Sequence, residues 1–104
     1  MNFLFQPVKT ISIQELQGRL ADSPVLLDVR TPSEYRSGHI KQAKNVPLQK
    51  INGYNGEKDK TVYVICQSGM RSKQAAKELT KAGYDVINVR GGMNQWTGQL
   101  AGGK

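Results

Sequence analysis

The sequence predicts an α/β domain with a mainly parallel sheet. Short apolar, β-branched runs alternate with segments of helical periodicity along the 104 residues. Two N-terminal capping boxes mark where helices begin, and glycines mark where strands and helices end. Strands that alternate with helices in this way form parallel sheets, because each helix returns the chain to the same edge.

Four apolar runs predict four strands. These runs cover residues 25–29, 43–46, 61–65 and 85–89. The run 61–65, Thr-Val-Tyr-Val-Ile, is the strongest of the four, because β-branched and aromatic side chains fit a pleated surface.

The capping boxes predict two helices. Residues 12–15, Ser-Ile-Gln-Glu, begin a helix that we expect over residues 13–21. Residues 31–34, Thr-Pro-Ser-Glu, begin a short helix that ends near Gly38 and has proline at its first position.

A third helix is predicted over residues 72–82, because its small and apolar residues recur on one side. Gly83 stands where a helix C-terminus favours glycine. The opposite side carries a lysine stripe, Lys73, Lys77 and Lys81. One turn of helix is expected after Pro47, and a short helix is expected over residues 93–98.

Length and charge limit the organisation of the protein. A chain of 104 residues is one domain, which we assign to residues 8–98, with terminal extensions at 1–7 and 99–104. We expect the last residues to fray. The net charge of +7, from 15 basic and 8 acidic residues, favours anionic partners without choosing among them.

Cysteine usage and hydropathy exclude several classes of protein. The single cysteine cannot form an intrachain disulfide, and one Cys with one His does not make a structural zinc site. A lone thiol fits a reducing compartment, so we expect a cytoplasmic protein. No segment has the pattern of a signal peptide or a membrane helix. Nucleic-acid binding is not expected, since aromatic residues are few and no known motif is present.

The segment after the strongest strand carries the chemistry. Cys66 follows the strand directly, a short loop comes next, and Arg71 stands where a helix begins. Loop amides, the helix N-terminus and the arginine all favour a thiolate, and Gly69 allows the backbone to turn. A buried, inert thiol is the alternative, but this arrangement favours a reactive Cys66.

These residues resemble the rhodanese family. Residues 66–72, Cys-Gln-Ser-Gly-Met-Arg-Ser, are similar to its active-site loop. The family's other motifs are matched in order over about residues 8–98. They correspond to 27–30 (Leu-Asp-Val-Arg), 34–35 (Glu-Tyr), 38–40 (Gly-His-Ile), 45–47 (Asn-Val-Pro) and the Gly91-Gly92 pair followed by Trp96.

The resemblance implies a single rhodanese-like domain with a five-stranded, mainly parallel sheet flanked by helices. It implies a sulfurtransferase in which Cys66 takes the outer sulfur of a donor such as thiosulfate and passes it to cyanide or a cellular thiol. Ping-pong kinetics are then expected. The implied partners are a small anionic sulfur donor and a thiol or protein acceptor. No metal or organic cofactor is implied, and a monomer is expected.

The resemblance also assigns roles to individual residues. Cys66 is the catalytic residue, and Arg71 helps to bind and orient the donor. The position of Asp28 and Arg30, rather than the resemblance, suggests their role: they flank the end of another strand, which lies near the loop in a parallel sheet. We expect them to support the loop as an internal ion pair rather than to act directly in catalysis. The residues expected to bind substrate are Gln67, Ser68, Gly69, Met70, Arg71 and Ser72.

The chain departs from the family pattern at two places. Gln67 and Met70 occupy loop positions where some relatives carry basic residues, which leaves fewer charges for thiosulfate. Lys41 and Gln42 replace the proline and glycine that follow Gly-His-Ile in the family, which we interpret as loop variation.

Other chemically suggestive residues have simpler explanations. His39 is interpreted as a structural histidine in a turn, since a thiolate held by amides needs no base. Thr31 and Glu34 are explained as helix caps, and Trp96 as a packing aromatic. The lysine stripe is a solvated helix face or a docking site for an acidic protein.

Three other functions remain open. The first is a phosphatase or arsenate reductase of related architecture, families that resemble this chain but have a C-x5-R loop. This chain has the shorter C-x4-R spacing, from Cys66 to Arg71, and no acidic residue in or just after the loop to donate a proton, which argues against that class. Non-catalytic rhodanese modules typically lose the cysteine that this chain keeps. A redox sensor would need an intermolecular disulfide, since no second cysteine can resolve the first.

Overall fold

A computed structural model of the protein describes residues 8–103. Its five strands form one parallel sheet in the spatial order β1-β5-β4-β2-β3. The strands are β1 (Lys9–Ile11), β2 (Val25–Asp28), β3 (Lys44–Asn45), β4 (Val62–Ile65) and β5 (Val86–Val89). The α-helices are α1 (Ile13–Arg19), α2 (Pro32–Ser37) and α3 (Met70–Lys81). Three 3₁₀ segments span Leu20–Asp22, Leu48–Gly53 and Gly92–Gln95.

Two apolar clusters cover the two faces of the sheet. Every residue of the central strand β4 is buried, and successive side chains point to opposite faces. Val62 and Val64 pack in the cluster that contains the apolar side of α3, whereas Tyr63 and Ile65 pack in the cluster that contains α1. Cys66 continues this alternation and belongs to the α3 cluster.

Chain topology determines where a site can form. From β2 the chain crosses outward to β3, whereas from β4 it crosses in the other direction to β5. The neighbouring carboxyl ends of β2 and β4 are therefore the switch point of the sheet, where α/β folds bind ligands. Arg30 follows β2 and Cys66 follows β4, so both lie at this point.

The four strands predicted from apolar runs are present, each slightly shorter than expected. Strand β1 was missing from the residue-based prediction, because it is three residues long and buries only one of them. Helix α1 ends at Arg19 rather than at residue 21, and a 3₁₀ turn completes the segment. The segment after Gly91 is also 3₁₀ rather than α-helical.

Helix α3 begins at Met70, two residues before the predicted start. Its N-cap Gly69 has a left-handed backbone (φ +105°) and makes no side-chain capping bond. Capping rules cannot detect such a start, because they rely on a Ser, Thr, Asp or Asn side chain. The helix therefore begins inside the loop that contains Cys66.

Residues 101 and 103 are hydrogen-bonded to the rest of the domain, contrary to the expectation that the last residues fray. Ala101 and His39 form an antiparallel bridge, with N–H···O distances of 2.9 and 2.8 Å. The N–H of Gly103 donates to the carbonyl of Arg36 at 3.0 Å. The sequence of residues 101–103 does not predict these hydrogen bonds, since they depend on which backbone groups the fold places beside the segment.

Among residues 8–103, no helix combines the length and the apolar character that are needed to cross a membrane.

Candidate active site

The loop between β4 and α3 folds around the sulfur of Cys66. The thiol is 1% exposed, and its Sγ accepts a hydrogen bond from the N–H of Gly69 at 3.0 Å. The left-handed backbone of Gly69 aims this N–H at the sulfur. A Cβ at Gly69 would lie 3.3 Å from the backbone nitrogen of Gly91, so the position has little room for a side chain.

The loop favours the thiolate form of Cys66. Burial raises the pKa of the thiol, but the Ser72 hydroxyl and the N–H groups of Ser72, Gly69 and Ser68 outweigh burial and hold it below its ordinary value. The Gly69 N–H forms the aligned hydrogen bond, and the other groups act through weaker attraction. A thiolate nucleophile therefore needs no general base in this site.

Ser72 stands beside the sulfur with its hydroxyl unused. Its side chain is fully buried, and within residues 8–103 its Oγ has no hydrogen-bond partner. Buried hydroxyls are normally satisfied. The same hydroxyl lowers the pKa of Cys66, so it is available to donate to negative charge on the sulfur.

Arg71 is held by Glu34 rather than left free. Its two terminal nitrogens donate to the two carboxylate oxygens of Glu34, at 2.7 and 3.0 Å. The bond from Arg71 is the main reason that the pKa of Glu34 falls to about 2. Arg71 also interacts with Cys66, since both the Glu34 carboxylate and, more weakly, the thiolate raise the pKa of the guanidinium.

Glu34 thus has a second contact that sequence reasoning missed. The capping interpretation is correct, because Glu34 and Thr31 form a reciprocal capping box at the start of α2. The carboxylate reaches Arg71 as well, 37 positions further along the chain. No local pattern signals a contact at that separation.

Asp28 and Arg30 form a buried ion pair under the loop. The Arg30 guanidinium donates to both carboxylate oxygens of Asp28, at 2.8 to 3.1 Å, and both side chains are almost fully buried. Arg30 also donates to the Gly38 carbonyl at 2.8 Å and to the side-chain oxygen of Gln67 at 3.1 Å. The pair therefore connects β2, the end of α2 and the loop.

The side chains of Gln67, Ser68 and Met70 make no described hydrogen bond to the sulfur of Cys66. Gln67 is engaged at both ends, since it accepts from Arg30 and donates to the side-chain oxygen of Asn94 at 2.7 Å. Ser68 is exposed, and Met70 is 77% exposed. The loop thus assembles around the sulfur with backbone amides and Ser72, and it presents Met70 to solvent.

The 3₁₀ segment after β5 packs directly on the loop. The N–H groups of Met93 and Asn94 donate to the carbonyls of Cys66 and Gln67, at 2.8 and 3.0 Å. A Cβ at Gly92 would lie 2.3 Å from the Cys66 carbonyl oxygen, so only glycine allows this approach. The Gly91-Gly92 pair was visible in the sequence, but the contact of Asn94 with Gln67 was not.

His39 and Trp96 lie outside this constellation. His39 is buried, stacks on Tyr35 with ring centroids 3.6 Å apart, and uses Nδ1 to contact the Tyr35 carbonyl at 2.7 Å. Trp96 donates its indole N–H to the Gln99 carbonyl at 3.0 Å. Within residues 8–103, no group of three or more His, Cys, Asp or Glu side chains is placed to hold a metal ion.

Comparison with known protein families shows to which family this chain belongs. The family model of the rhodanese-like domain matches residues 12–99, which include both strands at the switch point, the Cys66 loop and the Gly91-Gly92 segment. The chain belongs to the rhodanese family. Sulfurtransferase activity is thereby supported at the level of the family.

Individual relatives match this chain over most of its length. A sulfurtransferase of Allochromatium vinosum is 40% identical over 94 residues, which cover 86% of this chain and 88% of that protein. The crystal structure of a rhodanese-like domain protein from Staphylococcus aureus superposes with a TM-score of 0.82 at 34% identity, and covers 93% of this chain and all of that one. The human single-domain sulfurtransferase gives a TM-score of 0.77 at 27% identity, over 86% of this chain and 96% of that one.

Proposed function

We propose that this rhodanese carries sulfane sulfur as a persulfide on Cys66. The donor is a small anion such as thiosulfate, and the acceptor is a thiophile, either cyanide or a cellular thiol. The observation that supports the proposal is the loop around Cys66, whose hydrogen-bond donors lower the pKa of the buried thiol below its ordinary value.

The reaction has two half-reactions that balance. In the first, the Cys66 thiolate attacks the outer sulfur of thiosulfate, the S–S bond of the donor breaks, and sulfite leaves with its electron pair. In the second, the acceptor attacks the outer sulfur of the persulfide, and the Cys66 thiolate is restored. Cyanide then leaves as thiocyanate, and a thiolate leaves as a hydropersulfide anion. This is covalent nucleophilic catalysis with ping-pong kinetics.

The loop suits both the thiolate and the persulfide. Negative charge moves from the inner to the outer sulfur when the persulfide forms. The Gly69 N–H bonds the inner sulfur, and the unpartnered Ser72 hydroxyl can donate to a charged sulfur atom. Donors that are fixed before the reaction stabilise such charge without reorganisation.

The test is the intact mass of the protein after incubation with a sulfur donor and without reductant. We expect a gain of one sulfur atom in the wild-type protein and its loss on addition of cyanide. Cys66→Ser should show no gain while its circular dichroism spectrum stays that of the folded protein. A folded Cys66→Ser variant that still accepts sulfur would contradict the mechanism.

Two donors should be tested in parallel, thiosulfate and 2-hydroxyethyl hydropersulfide. If neither donor adds sulfur to the wild-type protein, Cys66 is not a persulfide carrier and the domain is better described as a docking module. Failure with thiosulfate alone would leave the persulfide mechanism intact and would exclude only that donor.

A further inference from the structure

Arg71 is the only charged side chain within residues 66–72, and it is already neutralised. Glu34 binds both of its terminal nitrogens, which is the geometry of a strong guanidinium–carboxylate pair. With a pKa of about 2, the carboxylate stays ionised throughout the neutral range. An anion that approaches Cys66 therefore meets a neutral pair rather than a free cation.

Arg30, Gln67 and Met70 do not replace this charge. Arg30 is occupied by Asp28 and by the Gly38 carbonyl. Gln67 is uncharged and bonded at both ends. Met70 offers an exposed apolar surface beside the loop. Within residues 66–72 the loop thus offers no free positive charge, although the chain as a whole carries +7.

We propose that Glu34 is a specificity-determining residue. By pairing with Arg71 it sets the site to accept sulfur from an organic hydropersulfide in preference to thiosulfate. This inference rests on the proposed persulfide function and deepens it by naming the class of donor.

Coulomb's law explains the preference. Thiosulfate carries two negative charges and a hydropersulfide carries at most one, so when Glu34 neutralises Arg71, thiosulfate loses twice as much attraction as a hydropersulfide does. The organic part of a hydropersulfide can also contact the apolar Met70 side chain. The charged oxygens of thiosulfate gain nothing from such a contact, because it would remove them from water.

Atoms and electrons balance when sulfur is transferred from a hydropersulfide to Cys66. The Cys66 thiolate attacks the outer sulfur of R–S–SH, the donor S–S bond breaks, and R–S⁻ leaves with the electron pair. The proton of the donor stays on the transferred sulfur or passes to water. The products are the Cys66 persulfide and an ordinary thiolate, and no oxidant or reductant is consumed.

The test compares kcat/KM for Cys66 loading by thiosulfate and by 2-hydroxyethyl hydropersulfide, in wild type and in Glu34→Gln. We expect wild type to favour the hydropersulfide at least tenfold. Glu34→Gln keeps the capping box, because glutamine can replace glutamate there, but it removes the charge. It should raise thiosulfate loading about tenfold and hydropersulfide loading about threefold, in proportion to donor charge.

Glu15→Gln is the matched control. Glu15 holds the same position in the capping box of α1, and its described contacts do not include the Cys66 loop. We expect it to leave the ratio of the two donors unchanged. A second readout follows Cys66 itself. Loss of the Glu34 charge should move the pH profile of iodoacetamide alkylation to lower pH, whereas a merely structural role would not.

The outcomes separate this inference from the proposed function. If wild type prefers thiosulfate, or if Glu34→Gln changes the donor ratio no more than Glu15→Gln, the specificity role is wrong while persulfide transfer stands. If neither donor loads Cys66, both proposals fall together.

Discussion

At the scale of single residues, the groups that donate to the sulfur of Cys66 lower the pKa of its thiol. Burial alone would make the thiol inert by raising its pKa, and the amides and the Ser72 hydroxyl reverse this effect. The described contacts of the His39 ring are with Tyr35 rather than with the sulfur. The thiolate form of Cys66 is therefore favoured by groups at and just before the start of α3.

Ser72 provides a test of this explanation. Ser72→Ala removes one donor from the thiolate, so the pKa of Cys66 should rise and alkylation by iodoacetamide at neutral pH should slow several-fold. The measurement is the alkylation rate as a function of pH, which follows the thiolate fraction.

Ser68→Ala is the control for this experiment. Ser68 acts on Cys66 through its backbone N–H, which alanine retains, so its profile should match that of wild type. Equal profiles for Ser72→Ala and wild type would show that the hydroxyl does not act on the sulfur.

The sequence singles out Cys66 as the candidate nucleophile but does not reveal its electrostatic context. A thiol directly after a buried strand, with arginine at the next helix start, is a local pattern and can be read from the chain. The Glu34–Arg71 pair joins positions 37 residues apart, and the helix cap already accounted for Glu34. A residue with one sufficient local explanation gives no sign of a second, distant contact.

At the scale of elements, the Gly91-Gly92 turn fixes the position of the Cys66 loop. Gly92 adopts a left-handed conformation (φ +58°) and lies against the Cys66 carbonyl. The 3₁₀ segment that follows then donates to the Cys66 and Gln67 carbonyls. Close backbone packing here keeps the loop in the shape that surrounds the sulfur.

Gly92→Ala should therefore reduce both stability and activity. The new Cβ would overlap the Cys66 carbonyl oxygen, so we expect a loss of at least about 2 kcal/mol in the free energy of unfolding. Gly18→Ala is the control, because Gly18 lies exposed in α1 with open space around it. That change should stabilise the protein by about 0.5–1 kcal/mol. Urea denaturation measures both, and equal stability of the two variants would contradict the packing argument.

The elements differ in how well the sequence predicts them. Strand β4 was predictable because all its residues are apolar and buried. Strand β1 was not, because Lys9 and Thr10 are exposed and only Ile11 is buried, so its pairing with β5 decides its structure. The start of α3 was misplaced because backbone conformation at Gly69, rather than a capping side chain, begins the helix.

At the scale of the whole molecule, the parallel topology brings separate segments to one edge. The carboxyl ends of β2, β4 and β5 supply the Asp28–Arg30 pair, the Cys66 loop and the Gly91-Gly92 turn. Residues far apart in the chain thereby become neighbours. The Arg30 side chain joins β2, the end of α2 and the Cys66 loop, since it contacts Asp28, Gly38 and Gln67.

Breaking the Arg30 pair should destabilise the whole domain. Arg30→Met leaves the carboxylate of Asp28 buried without its partner, and such a change costs about 3–5 kcal/mol. The double variant Asp28→Asn with Arg30→Met should recover part of this loss, because no uncompensated charge remains. Lys9→Met is the control, since Lys9 pairs with Asp85 at the exposed surface and should change stability by at most about 1 kcal/mol. Unfolding free energies from urea titration measure all three variants. If Arg30→Met costs no more than Lys9→Met, the buried pair does not hold these segments together, and the packing of β2 against β4 alone maintains the edge on which Cys66 lies.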